Sequence, residues 1–128
     1  MEKLPKLSVL IVEDDENILH DMCSCLEEQI RLRKLHGVEI KRAAYLGSAL
    51  MQSIKTDESV TLVVSTDLGY PRTYSGKIDQ KAGLLLIAEV LKLRNTNIVV
   101  YSGHTIGDTK SMLLQNGLLE NENDPQVT

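Results

Sequence analysis

Side chains with oxygen atoms stand directly after three apolar runs of this 128-residue chain. They are Glu13 and Asp14 after the first run, Asp67 after the second and Ser102 after the third. If the runs are neighbouring parallel strands, their carboxyl ends meet at one edge of a sheet, where ligands bind in folds of this kind. Clustered carboxylates repel each other unless a cation joins them, and oxygen-rich acidic pockets suit Mg²⁺ or Mn²⁺. The spacing therefore predicts a site for a divalent metal ion.

The same acidic residues also allow a purely structural interpretation. Residues 13–16 read Glu-Asp-Asp-Glu and stand where a helix would begin, a place that favours acidic side chains as caps and as partners of the helix dipole. Asp67 precedes Gly69 and Pro71, so it could be a turn residue. Each signal is weak alone, and the metal-site interpretation depends on their joint placement at strand ends.

Four short runs rich in apolar residues predict the strands of one sheet, at 8–12, 38–44, 60–66 and 98–101. The run 60–66 is rich in β-branched residues and is bounded by turn residues, which is typical of a strand buried on both faces. The run 38–44 alternates apolar and polar residues, which fits an edge strand.

Apolar residues at helical spacing predict helices between and after these strands, at 18–30, 48–54, 84–93 and 108–116. Asp15 and Glu16 suit the beginning of the first helix, where negative charge is favoured. In the second helix we expect Ala49, Leu50 and Ile54 to face the core.

A strand followed by a helix thus repeats four times, which indicates an α/β fold with a doubly wound parallel sheet and right-handed crossovers. The chain is long enough for one domain, which we place at 1–117, followed by a polar tail at 118–128. The first turn between strand and helix lacks the glycines of a dinucleotide site, and the sequence has no P-loop motif. Nucleotide binding of these two kinds is therefore disfavoured.

Composition limits the remaining classes of function. The net charge is -4 at pH 7, which disfavours a surface dominated by contacts with nucleic-acid phosphates. The apolar runs are too short for a membrane span or a secretory signal, so we expect a cytoplasmic protein that binds neither membrane nor nucleic acid directly. Cys23 and Cys25 lack the spacing of a redox pair or a zinc half-site, and we expect them to pack within a helix.

Residues 68–83 predict a long mobile loop beside Asp67. The segment contains three glycines, one proline and the basic residues Arg72, Lys77 and Lys81. These cations could steer an anionic partner toward Asp67, although a solvated loop is the simpler interpretation.

Three stretches of the chain together resemble the receiver domain of two-component response regulators. They are VLIVEDD at 9–15, VVSTDLGYP at 63–71 and VVYSGH at 99–104. The resemblance extends from Ser8 to about Gly117 and depends on the order and spacing of motifs that are individually weak. It implies a flavodoxin-like doubly wound sheet with strand order 2-1-3-4.

The resemblance also implies roles for five residues. Asp67 would be the phospho-acceptor, and Ser102 would hydrogen-bond the phosphoryl group and move when it arrives. Asp14 would bind Mg²⁺ (or Mn²⁺) directly, Glu13 would bind it through water, and the Gly69 carbonyl would be the third protein ligand.

A receiver of this kind would take a phosphoryl group from a histidine kinase or a phosphotransfer protein and would then switch its contacts with other proteins. It would not be an enzyme beyond autocatalytic phosphotransfer and autodephosphorylation at Asp67. His104 stands two residues after Ser102, and we favour an exposed spectator there. If His104 does act, it would position water and modulate the lifetime of the phosphorylated state.

The sequence departs from the family pattern beyond the fourth strand. Receivers normally continue into a fifth strand, a lysine that contacts the phosphoryl group, and a fifth helix. Here the last lysine, Lys110, stands inside the predicted fourth helix, so the family lysine has no counterpart. Without these parts the fourth strand would be an open edge, and we expect self-association through it. A piece cut from a longer regulator would explain the same departure.

Two further functions are weighed against the phospho-accepting receiver. A degenerate receiver, which keeps the fold but acts as an interaction or dimerisation module without phosphorylation, is favoured by the missing lysine and opposed by the complete set of acidic and hydroxyl residues. A Mg²⁺-dependent phosphohydrolase would need a second aspartate two residues after the nucleophile, where this chain has Gly69.

Overall fold

The computed structural model describes residues 4–94 and 96–101. Strands and helices alternate along this part of the chain, with a short two-stranded ribbon before the third helix. The elements in chain order are β1 Leu7–Val12, α1 Glu16–Leu32, β2 Val38–Ala43, α2 Leu46–Lys55, β3 Thr61–Thr66, β4 Tyr70–Pro71, β5 Ile78–Asp79, α3 Ala82–Leu93 and β6 Asn97–Val100.

Four parallel strands form the main sheet, in the order β2-β1-β3-β6. Because β6 is the fourth strand of this sheet in sequence order, the predicted doubly wound fold and the order 2-1-3-4 are confirmed. The predicted helix at 108–116 and the tail at 118–128 lie outside the described residues, as does everything expected of a fifth strand.

The main core lies between one face of the sheet and helices α2 and α3. Leu10, Val64 and Ile98, from three adjacent strands, are fully buried there, and most of α3 packs on them. Helix α1 covers the other face with a smaller cluster that contains Cys23. The predicted packing of Cys23 is therefore confirmed, whereas Cys25 is exposed. Helices on both faces are what a doubly wound sheet requires.

Burial of β3 differs between its two faces. Its residues alternate in burial, with Leu62 and Val64 closed off on the side of α2 and α3, and Val63 and Ser65 half-buried on the other side. The prediction of a strand buried on both faces is thus only partly met among the described residues.

One predicted core residue of α2 is wrong. Ala49 is fully buried and Leu50 packs against the core, but Ile54 is 62% exposed. Ser53 takes the inward position one turn after Ala49, and its hydroxyl donates a 2.8 Å hydrogen bond to the Ala49 carbonyl. This bond lets a polar side chain be buried, and it leaves Ile54 on the solvent side.

The segment predicted as a loop at 68–83 is partly ordered as an antiparallel ribbon. Strand β4 pairs with β5, with Tyr70 opposite Asp79 and Pro71 opposite Ile78. The connection at 72–77 is exposed, but Tyr70 is fully buried. The ribbon is therefore fixed to the core at its base, beside Asp67.

None of the described helices is both long enough and apolar enough to cross a membrane.

Candidate functional site

The acidic residues after β1 and β3 lie next to each other because the two strands are paired. Val12, the last residue of β1, is in register with Thr66, the last residue of β3. The ladder continues one step further, since the Asp67 amide donates to the Val12 carbonyl at 3.4 Å. Glu13 and Asp67 therefore begin adjacent loops at the carboxyl edge of the sheet, as the sequence predicted.

Glu13 is a buried carboxyl group, with only 4% of the residue exposed. Its Oε1 atom accepts a 3.1 Å hydrogen bond from the Asp15 amide. Burial raises the pKa of Glu13, the hydrogen bond from Asp15 lowers it, and the neighbouring Asp14 and Asp67 carboxyls raise it further. The three acidic groups are thus close enough to repel each other, and a cation would relieve this repulsion.

Asp15 has the structural role that the alternative interpretation gave to the whole acidic run. It is the N-cap of α1, and its Oδ1 atom accepts hydrogen bonds from the amides of Asn17 at 2.9 Å and Ile18 at 3.1 Å. Glu16 lies in the first turn, where its charge complements the helix dipole. The structural interpretation therefore holds for Asp15 and Glu16, whereas Glu13 and Asp14 precede the helix and lie beside Asp67.

Asp15→Ala is expected to lower the free energy of unfolding by about 1 kcal/mol, because the first turn of α1 would lose its cap. Urea denaturation followed by circular dichroism would measure the loss. Asp21→Ala is the matched control, since Asp21 is exposed within α1 and should change stability by less than about 0.5 kcal/mol. Equal effects of the two substitutions would contradict the capping role.

The backbone at Asp67 is held on several sides. One carboxylate oxygen, Oδ1, accepts a 2.7 Å hydrogen bond from the Leu68 amide. The Thr66 hydroxyl donates to the Asp67 carbonyl at 2.7 Å, and the Gly83 amide at the beginning of α3 donates to the Leu68 carbonyl at 2.9 Å. Asp67 therefore has one oxygen held in place by the chain itself.

Gly83 is required by the closeness of α3 to the Asp67 loop. A Cβ atom at this position would lie 2.3 Å from the Asp67 carbonyl oxygen and 2.6 Å from the Leu68 Cα atom, which is far inside contact distance. Gly69 is approached in a similar way by the side chain of Gln80, whose Oε1 atom would be 2.8 Å from a Cβ atom there. The loop after Asp67 is thus closely covered by the ribbon and by α3.

Tyr101, which follows β6, is a site residue that sequence reasoning missed. Its amide donates to the Thr66 carbonyl at 3.0 Å, and its phenol donates a hydrogen bond to the Val12 carbonyl. Burial raises the pKa of Tyr101, and the Glu13 and Asp67 carboxyls raise it further, so the phenol stays protonated. The only available signal was its position directly before Ser102, and aromatic residues at strand ends are too common for that to be informative.

Two predicted site residues, Ser102 and His104, lie outside the described residues, and their roles stay predictions. The residue types at 13, 14 and 67 suit Mg²⁺, which prefers carboxylate and carbonyl oxygens. Over 4–94 and 96–101, however, no three His, Cys, Asp or Glu side chains are placed to hold a metal ion together. Glu13, Asp14 and Asp67 share the sheet edge, but their side chains do not converge as a set of ligands.

Comparison with known proteins adds no family to this description. No protein-family model matches the sequence, and a search of curated proteins finds no significant match.

Proposed function

We propose that this protein is a phospho-accepting receiver domain that works in the cytoplasm. Asp67 would take a phosphoryl group from the phosphohistidine of a histidine kinase or phosphotransfer protein. The observation that carries the proposal is the pairing of β1 with β3, which sets Glu13 and Asp14 beside Asp67 at the carboxyl edge of a parallel sheet. Self-association through a strand edge stays a prediction from the sequence.

The chain orients the Asp67 carboxylate for attack. The Leu68 amide holds Oδ1, so the other carboxylate oxygen would be the one that forms a bond to phosphorus. As that bond forms, the phosphorus–nitrogen bond of the phosphohistidine breaks and the imidazole leaves. The carbonyl and the amide of Asp67 are both hydrogen-bonded, so the attacking group needs little reorganisation of its backbone.

Bound Mg²⁺ would neutralise charge on the transferred oxygens, with Asp14 as a direct ligand, Glu13 acting through water and the Gly69 carbonyl as a third ligand. Ser102 would hydrogen-bond the phosphoryl group. The product adds about 1.5 to 2 negative charges beside the ribbon and α3, by analogy with other phosphorylated side chains. Such a change would bias the surface that neighbouring loops present to partners.

Incubation with Mg²⁺ and acetyl phosphate, followed by intact-mass measurement, tests the proposal. Wild type is expected to gain one phosphoryl group, and Asp67→Asn to gain none, because the attacking oxygen is lost. Asp57→Asn is the matched control, since Asp57 is exposed near the opposite end of the sheet and bonds only to Ser59. Equal labelling of wild type and Asp67→Asn would refute Asp67 as the acceptor.

The degenerate receiver is the second candidate, and one observation favours it. The carboxylates of Glu13 and Asp67 are both engaged by backbone amides instead of converging on a shared metal position. An interaction module needs the fold but not the metal. Folded wild type that gains no phosphoryl group in the same experiment would favour this function over phosphotransfer.

A further inference from the structure

A second polar site lies at the other end of the sheet from Asp67. A cleft of about 290 Å³ opens below the end of α2, beside the first residues of β1 and β2. We call it the basal cleft, and its polar lining consists of Ser8, Glu39, Lys41, Lys55, Thr56 and Asp57.

The floor of the basal cleft contains a buried hydroxyl group without a partner. Ser8 is only 1% exposed, and its Oγ atom makes no hydrogen bond with the described residues. In the sheet register Ser8 lies between Glu39 of β2 and Leu62 of β3. Buried polar groups in native proteins are nearly always paired, so this hydroxyl indicates a position for a polar atom from outside the chain.

Lys41 brings a second donor with unused capacity. Its Nζ atom is 3.0 Å from the Thr56 hydroxyl and 3.5 Å from the Glu39 carboxylate. An ammonium group has three N–H bonds, so one remains after these two contacts. Lys55, in the last turn of α2, is exposed at the rim and makes no ion pair with the described residues.

The acidic residues of the basal cleft are already engaged. Glu39 pairs with Lys41, and the Asp57 carboxylate accepts hydrogen bonds from the Ser59 amide at 2.9 Å and the Ser59 hydroxyl at 2.7 Å. Their charges remain on the wall of the cleft, and they would repel a ligand with two or more negative charges. The donors therefore suit an anion, but one with a single negative charge.

We propose that the basal cleft binds a small monocarboxylate. Its carboxylate oxygens would accept hydrogen bonds from the Ser8 hydroxyl and the free N–H of Lys41, with Lys55 adding a positive charge at the rim. A cleft of this volume is at the lower limit of small-molecule sites, so the ligand would have few atoms besides its carboxylate. The proposal is independent of phosphotransfer at Asp67.

Titration of the ¹⁵N-labelled full-length protein with sodium acetate, followed by NMR, tests the proposal. Saturable shifts are expected for the amides of Ser8, Glu39 and Thr56, and not for those of Glu13 and Asp67. Sodium chloride at matched ionic strength should not reproduce them. Ser8→Ala should weaken acetate binding about tenfold, because a hydrogen bond to a charged group is lost. Ser24→Ala, on the exposed surface of α1, should leave it unchanged.

Three results would overturn the proposal. The first is shifts that do not saturate or that chloride reproduces, which would leave Ser8 bound to water alone. The second is inorganic phosphate binding more tightly than acetate, which would contradict the preference for a single charge. The third is unchanged acetate affinity in Ser8→Ala. The wild-type titration decides the first two whatever the stability of the variant.

Discussion

Gly83→Ala is expected to lower the free energy of unfolding by about 3 kcal/mol, although alanine is the better helix former. The gain in helix propensity would be about 1 kcal/mol. The added Cβ atom, however, would lie 2.3 Å from the Asp67 carbonyl oxygen and 2.6 Å from the Leu68 Cα atom. Both are backbone atoms, and the hydrogen bond from the Gly83 amide to the Leu68 carbonyl holds them close. Neither can rotate away as a side chain could, so the clash outweighs the propensity.

Urea denaturation of Gly83→Ala beside Gly47→Ala would measure this effect. Gly47 lies in the first turn of α2, and the nearest atom to a Cβ there is 3.4 Å away, which is ordinary contact. Gly47→Ala should therefore be neutral, or stabilising by up to about 1 kcal/mol. A Gly83→Ala protein as stable as wild type would show that α3 does not press on the Asp67 loop. If the loss is seen, slower phosphorylation at Asp67 should accompany it.

Much of the fold could be predicted because its strands have clear patterns. The runs that became β1 and β3 are dense in apolar residues, and burial of Leu10 and Val64 confirms why. The run that became β2 alternates, as an edge strand does. The N-cap at Asp15 was also recognisable, because a side chain bonding amides two and three residues ahead is a local interaction.

The ribbon could not be predicted, because its strands have two residues each and two residues show no periodicity. Glycine and proline in the same segment favour a loop by any local rule. Ile54 failed for a related reason. Helical spacing alone cannot show that Ser53 satisfies its hydroxyl within α2 and so takes the inward position.

At the candidate site the sequence indicated which acidic residues would meet, but not how they would interact. The phenol of Tyr101 reaches the Val12 carbonyl across 89 positions of sequence. Its bulk lies near Glu13, whose burial raises its pKa. Contacts of this kind arise only when β6 docks beside β3, so no local pattern encodes them. The hydrogen bond from Leu68 to Asp67 is likewise a detail of loop geometry.

Tyr70→Ala is expected to lower the free energy of unfolding by about 4 kcal/mol, because a fully buried ring would leave a cavity. Its hydroxyl is 3.0 Å from the Thr66 hydroxyl, which in turn donates to the Asp67 carbonyl. Tyr70→Phe keeps the ring and removes only this link, so it should cost about 1 kcal/mol.

Tyr74→Ala is the matched control within the same ribbon, since Tyr74 is 81% exposed and contacts only the edge of Tyr45. It should change stability by less than about 0.5 kcal/mol. Urea denaturation of the three variants would give the ranking. If Tyr70→Ala and Tyr74→Ala were equally mild, the ribbon would be a detachable appendage. The expected ranking would instead make it part of the core that holds the Asp67 loop in place.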